Sequence, residues 1–61
     1  MNIYVNGIPV NLFRQRLESG EYQLTRSQTG EVLCTGTLEE VDIVVAEIVE
    51  REYPGLTEQQ I

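Results

Sequence analysis

The side chains in this chain that could do chemistry are few. Cys34 is the single thiol, carboxylates gather at Glu39, Glu40, Asp42 and Glu47, and the bases are four arginines at positions 14, 16, 26 and 51. The sequence has no His and no Lys. A thiol or hydroxyl nucleophile needs a neighbouring base, most often an imidazole, and Cys34 has none to draw on. One Cys without His falls short of a closed zinc site. Without Lys there is neither a phosphate-loop ammonium nor a Schiff base, and the glycines at 7, 20, 30, 36 and 55 are spaced as turns rather than as a phosphate cradle. Paired carboxylates remain formally able to do acid–base work, but on an open helix face they lack the burial that moves a carboxyl toward neutrality. The expectation is a non-catalytic protein with no cofactor and no metal.

Charge narrows the partner. Ten acids against four bases give a net charge of -6. Nucleic-acid binding rests on cationic groups that displace counterions from phosphates, so no direct nucleic-acid contact is expected. A protein with a basic surface is the better electrostatic match, and a second copy, as a homodimer, is the other candidate. No run approaches the roughly 20 apolar residues that span a bilayer, and "MNIYVNG" has neither the basic start nor the apolar stretch of a signal peptide. With one Cys, an internal disulfide is impossible. A cytoplasmic protein away from the membrane is the expectation.

The elements that must position these groups fit in 61 residues, enough for one domain that buries only about 60% of its unfolded surface. Residues 1–55 read as a compact unit and 56–61 as a short tail. In "IYVNGIPV", Asn6 and Gly7 supply the positive φ angles of a two-residue type I′ hairpin turn. That turn sets Val5 opposite Ile8, Ile3 opposite Val10 and Met1 opposite Leu12, with all six on one face. Leu12 and Phe13 then break the alternation. A strand with a bulge near Leu12 would turn Phe13 and Leu17 inward, while a short helix capped by Asn11 and stopped by Gly20 competes. The strand is preferred, because a four-residue turn "ESGE" pairs Leu17 with Tyr22 and Phe13 with Arg26. The same register puts Arg14 and Arg16 on the outer face beside Thr25 and Gln23. "YQLTRSQTGEVLCTG" reads as another hairpin turning at "SQTG", with Leu24 opposite Leu33 inside and Val32 and Cys34 outside.

The segment "TLEEVDIVVAEIVERE" carries the clearest signal. Thr37 is a good N-cap, and Glu40 stands at the capping-box spacing. Leu38, Val41, Val44, Val45, Ile48 and Val49 form one helical stripe. Acids in the first turns and Arg51 in the last suit the helix dipole, and "YPG" ends the helix. Over residues 1–12 alone, "MNIYVNGIPVNL" resembles the first hairpin of the ubiquitin-like sulfur carriers of thiamin and molybdopterin synthesis. The resemblance implies a hairpin and nothing further, since the sequence has no Gly-Gly pair and its helix follows four strands. The fold class expected is α+β: a four-stranded antiparallel β-meander with one C-terminal amphipathic helix packed on one face, in the order ββββα.

At 100° per residue, Ile43 falls opposite the core stripe, ringed by Glu39, Glu40, Glu47 and Glu50. An apolar centre with a charged rim is the layout of an interface. These five residues are the expected partner-binding set of a small acidic inhibitor or adaptor, for example a phage-type antagonist of a nucleic-acid-handling host defence protein. Arg14, Arg16, Tyr4 and Gln23 form a second candidate surface on the outer sheet face. Two alternatives stand beside this: a self-assembling structural module, and a small-ligand or nucleic-acid binder acting through Arg14, Arg16 and Arg26.

Overall fold

The computed structural model describes residues 1–56. Four strands, β1 (Asn2–Val5), β2 (Ile8–Arg16), β3 (Tyr22–Arg26) and β4 (Val32–Gly36), precede one helix, α1 (Leu38–Glu52). The sheet is a meander in the order β1-β2-β3-β4, antiparallel throughout. The helix packs on one face, against β3 and β4. This is the α+β architecture the sequence calls for, with residues 11–16 in strand rather than helix.

Each hairpin is set by its turn. Asn6 and Gly7 take φ of 54° and 78°, the positive pair that lets a two-residue loop follow the right-handed twist of the strands, and Val5 duly faces Ile8. Beyond Tyr4–Pro9 the register jumps to Asn2–Phe13, leaving Ile3 across from Val10, Asn11 and Leu12. The bulge therefore absorbs two residues, with Asn11 at φ 61° as its left-handed residue. Asn is among the few side chains that tolerate this conformation. Met1 consequently pairs with Arg14, through bonds of 2.7 and 3.0 Å in the two directions, and not with Leu12.

A two-residue bulge preserves side-chain parity, and that overturns the expected inward Phe13. Even-numbered residues of β2 face the helix, with Val10 and Leu12 each 1% exposed, while Phe13 lies half-buried on the open face across from Thr25. The next turn agrees. Gly20 N–H donates to Leu17 O (2.9 Å) and Leu17 N–H to Glu21 O (2.7 Å), so the loop is Glu18–Ser19–Gly20, with Gly20 at φ 94°. Three-residue hairpin loops demand a left-handed residue at this position. The four-residue "ESGE" turn is thus one residue too long, and a one-residue slip exchanges every face. Arg14 pairs with Leu24 and Arg16 with Tyr22, on the helix side of the sheet.

The third hairpin turns at "SQTG" as read, with Gly30 N–H donating to Arg26 O at 2.7 Å. Its ladder shifts between Leu24–Cys34 and Thr25–Val32, which makes Leu33 the bulged residue. Cys34, not Leu33, faces Leu24, and both Cys34 and Leu33 pack against the core. Val32 stays exposed on the open face.

The helix begins with a complete capping box. Glu40 N–H donates to Thr37 Oγ1 at 3.2 Å, and Thr37 N–H donates to Glu40 Oε1 at 2.9 Å. Val41, Ile48 and Val49 are buried over Val10, Leu12 and Leu24, with Val44 and Val45 at the margin and Leu38 exposed at the end of the stripe. Past Tyr53 the chain turns at Pro54–Gly55 and is pinned to the first hairpin. Tyr53 O–H donates to Val10 O (3.1 Å), Asn11 Nδ2 to Tyr53 Oη (3.2 Å), and Asn6 Nδ2 to Leu56 O (3.0 Å). Leu56 is only 7% exposed and belongs to the core, so the compact unit runs one residue past the expected boundary. The remainder of the expected tail lies outside the described residues.

Candidate protein-binding surface

The outer face of α1 sorts its acids into two kinds. Some are occupied within the chain. Asp42 Oδ1 accepts from Arg14 Nη1 at 2.6 Å, and Glu52 accepts a two-pronged bond from Arg26 at 3.0 and 3.1 Å. Glu40 closes the capping box. Arg51 also lies 3.6 Å from Glu52. The others, Glu39, Glu47 and Glu50, are exposed and make no ion pair or hydrogen bond among the described residues. Between them stands Ile43, 61% exposed, with Ala46 exposed one turn on.

The arginine bond to Glu52 holds its carboxyl below the ordinary carboxylate value, and Glu52 in turn raises the Arg26 guanidinium. Burial pushes the Cys34 thiol up, with the nearby Glu40 adding to the shift, so the thiolate is disfavoured. That environment suits a packed residue rather than a nucleophile. Among the described residues no group of three His, Cys, Asp or Glu side chains is placed to hold a metal ion, and no helix is long and apolar enough to cross a membrane.

Of the five residues expected to bind a partner, the structure brings four together: Ile43, Glu39, Glu47 and Glu50. Glu40 is on the same helix face, but its carboxylate is turned back onto Thr37. The second expected surface does not assemble. Tyr4 (59% exposed) and Gln23 lie on the open face, where Gln15 Nε2 donates to Gln23 Oε1 at 3.2 Å. Arg14 and Arg16 lie on the helix side, as the register requires. Arg14 and Arg26 are spent on helix acids, which leaves Arg16 as the one arginine with no ion pair among the described residues. The three arginines of the small-ligand alternative are therefore not a free cationic cluster.

A groove that the sequence reading missed runs between β1 and α1. Its volume is about 620 Å³, and its lining includes Ile3, Val5, Val45, Ala46 and Val49, with Arg14, Asp42 and Glu50 at the rim. It exists because the helix lies over β3 and β4 and leaves the β1 flank uncovered. The available signal was Ala46, a small side chain on the flank of an otherwise bulky stripe, together with an edge strand whose apolar residues alternate.

No family model, curated protein or solved structure matches this chain. The functional reading rests on the surface itself.

Proposed function

We propose that this protein is a non-catalytic binding module whose helix face, Ile43 with Glu39, Glu47 and Glu50, docks on a basic protein surface. The observation that carries the reading is the division of the helix acids. Asp42, Glu52 and Glu40 have partners inside the chain, and the three acids around Ile43 have none among the described residues. Uncompensated carboxylates steer a cationic partner toward the helix, and the exposed Ile supplies apolar area to bury once it arrives. Full burial of such a side chain is worth about 1.5–3 kcal/mol, which is enough to make Ile43 the centre of a small interface. An inhibitor or adaptor acting on a nucleic-acid-handling protein fits this chemistry, because the groove of such a partner is basic.

The test compares wild type with Ile43→Glu. Far-UV circular dichroism and melting temperature should be unchanged, since exposed substitutions usually shift stability by less than about 0.5 kcal/mol. Immobilised wild-type protein should retain basic proteins from a lysate of the source organism that Ile43→Glu does not retain, identified by mass spectrometry. Equal retention by the two proteins, or loss of the helix in the variant, refutes the reading.

A further inference from the structure

We infer that the exposed edge of β1, with the groove beside it, binds an extended segment of a partner as an added fifth strand, the segment carrying apolar side chains flanked by Arg or Lys. This goes beyond the helix-face reading; the edge and the groove are separate observations, and Glu50 is common to both surfaces.

The first is the edge itself. Among the described residues β1 is paired only on its β2 side. Val5–Ile8 closes a two-residue hairpin and so exchanges both ladder bonds, and Met1 exchanges both with Arg14. By alternation Asn2 and Tyr4, in the wide pairs, turn their N–H and C=O groups away from β2 into solvent. An unpaired row of this kind is a template for strand addition. The strand is short and its pairing with β2 is bulged, but β1 (NIYV) has neither a charged side chain nor a Pro to block strand addition.

The second observation is the groove. Ile3 and Val5 on the helix side of β1 face Val45, Ala46 and Val49 across about 620 Å³. Alternate side chains of an added strand would point into that space, since successive residues face opposite sides of a sheet. The third is charge. Glu50 lines the groove without an ion pair among the described residues, while Asp42 at the other rim is already paired with Arg14, so the lining keeps one uncompensated carboxylate. A second copy would bring the same acids and another net charge of -6 to the seam, whereas a cationic segment would neutralise them.

The probe is a fluorescent heptapeptide, Arg-Thr-Val-Thr-Ile-Thr-Arg, whose odd positions place two apolar residues in the groove and an Arg at each rim. Binding is followed by fluorescence anisotropy, with circular dichroism and melting temperature recorded for every variant. Tyr4→Pro removes the outward N–H and leaves the β1–β2 bonds in place; Tyr4→Ala keeps the N–H. Wild type and Tyr4→Ala should bind alike, and Tyr4→Pro about tenfold more weakly. Ala46→Trp, at an exposed helix position, fills the groove and should weaken binding to a similar degree, which keeps the proposal testable if Tyr4→Pro fails to fold. Replacing both peptide Arg residues by Glu should abolish binding.

Ile43→Glu separates this site from the helix face, because it should bind the peptide no more weakly than wild type. If only Ile43→Glu weakens binding, the helix face is the peptide site and the strand addition falls. Equal binding by Tyr4→Pro and Tyr4→Ala, or no saturation at about 1 mM peptide, overturns the proposal. So does a dimer in sedimentation equilibrium that Tyr4→Pro splits into monomers, since a second copy would then hold the edge.

Discussion

Glu40 and Gly36 are coupled through one carboxylate, and the coupling can be measured. A Cβ added at Gly36 would stand 2.6 Å from Glu40 Oε1 and 3.3 Å from its Cδ. The carboxylate is the far end of a flexible side chain, so the Gly36→Ala variant folds and Glu40 moves aside. In moving it gives up the 2.9 Å bond from Thr37 N–H. That bond is half of the capping box, and its loss costs about 1 kcal/mol. Against it, Gly→Ala at a compatible φ stabilises by about 0.4–1 kcal/mol through the unfolded chain. The two effects nearly cancel, so Gly36→Ala alone should change stability by no more than about 0.5 kcal/mol. Glu40→Ala alone should cost about 1 kcal/mol. With Glu40 already truncated there is nothing to displace, and Gly36→Ala should then stabilise by its full increment of about 0.4–1 kcal/mol. The double-mutant cycle therefore predicts a coupling of about 1 kcal/mol, read from urea denaturation of the four proteins by circular dichroism. Additivity within about 0.3 kcal/mol would show that the Glu40 carboxylate does not occupy the site beside Gly36. The same variant bears on function: Glu40→Ala should lower stability without weakening partner retention, because its carboxylate is already engaged by Thr37 N–H.

Three further outcomes follow from the packing and the ion pairs. Leu24 is 0% exposed beneath the helix, so Leu24→Ala should cost about 2–5 kcal/mol and leave so small a domain largely unfolded, seen as loss of the cooperative melt. Arg14→Glu should set two carboxylates against each other across the sheet–helix seam and destabilise by about 1 kcal/mol, and adding Asp42→Arg should restore most of the loss; no effect in the single variant would place Arg14 on the open face. Because Glu52 has a lowered folded-state value, the stability from its pairing with Arg26 is fully present above its ordinary value of 4.5 and is lost as pH falls below that through the lowered value. Melting curves of wild type and Glu52→Gln should accordingly differ above pH 4.5 and converge in acid; curves that stay parallel at every pH would exclude this link.

The helix, its cap, its stop and its buried stripe were all legible, because each is written within a few residues of itself: Thr37 with Glu40, the apolar spacing from Val41 to Val49, and Pro54 behind Tyr53. The Asn6–Gly7 turn was legible for the same reason. Register was harder. Two places decide it, the bulge at Asn11 and the loop at Gly20, and an error of one residue at each reverses the face assigned to Phe13 and to Arg14. Alternation alone cannot choose, since β2 is apolar on both parities at Leu12 and Phe13. The φ demand of a three-residue loop would have chosen, because it places Gly20 at the left-handed position. The ion pair of Arg14 with Asp42 depends on that register and was hidden with it, whereas Arg26 keeps the inward face that the sequence reading gives it. The exposed Ile43 and its glutamates were legible because helical periodicity places them without reference to the sheet.

The single Cys, half-buried opposite Leu24 and against the helix, gives this domain a built-in clock. Its thiol is half-buried while the helix is seated and fully open when the helix lifts. The ratio of alkylation rates in native buffer and in denaturant then sets an upper limit on how often the helix undocks, in a wild-type chain with no engineered reporter. Measured with and without the cationic heptapeptide, the same clock would tell whether a strand added at the far edge of the sheet tightens the packing beneath the helix.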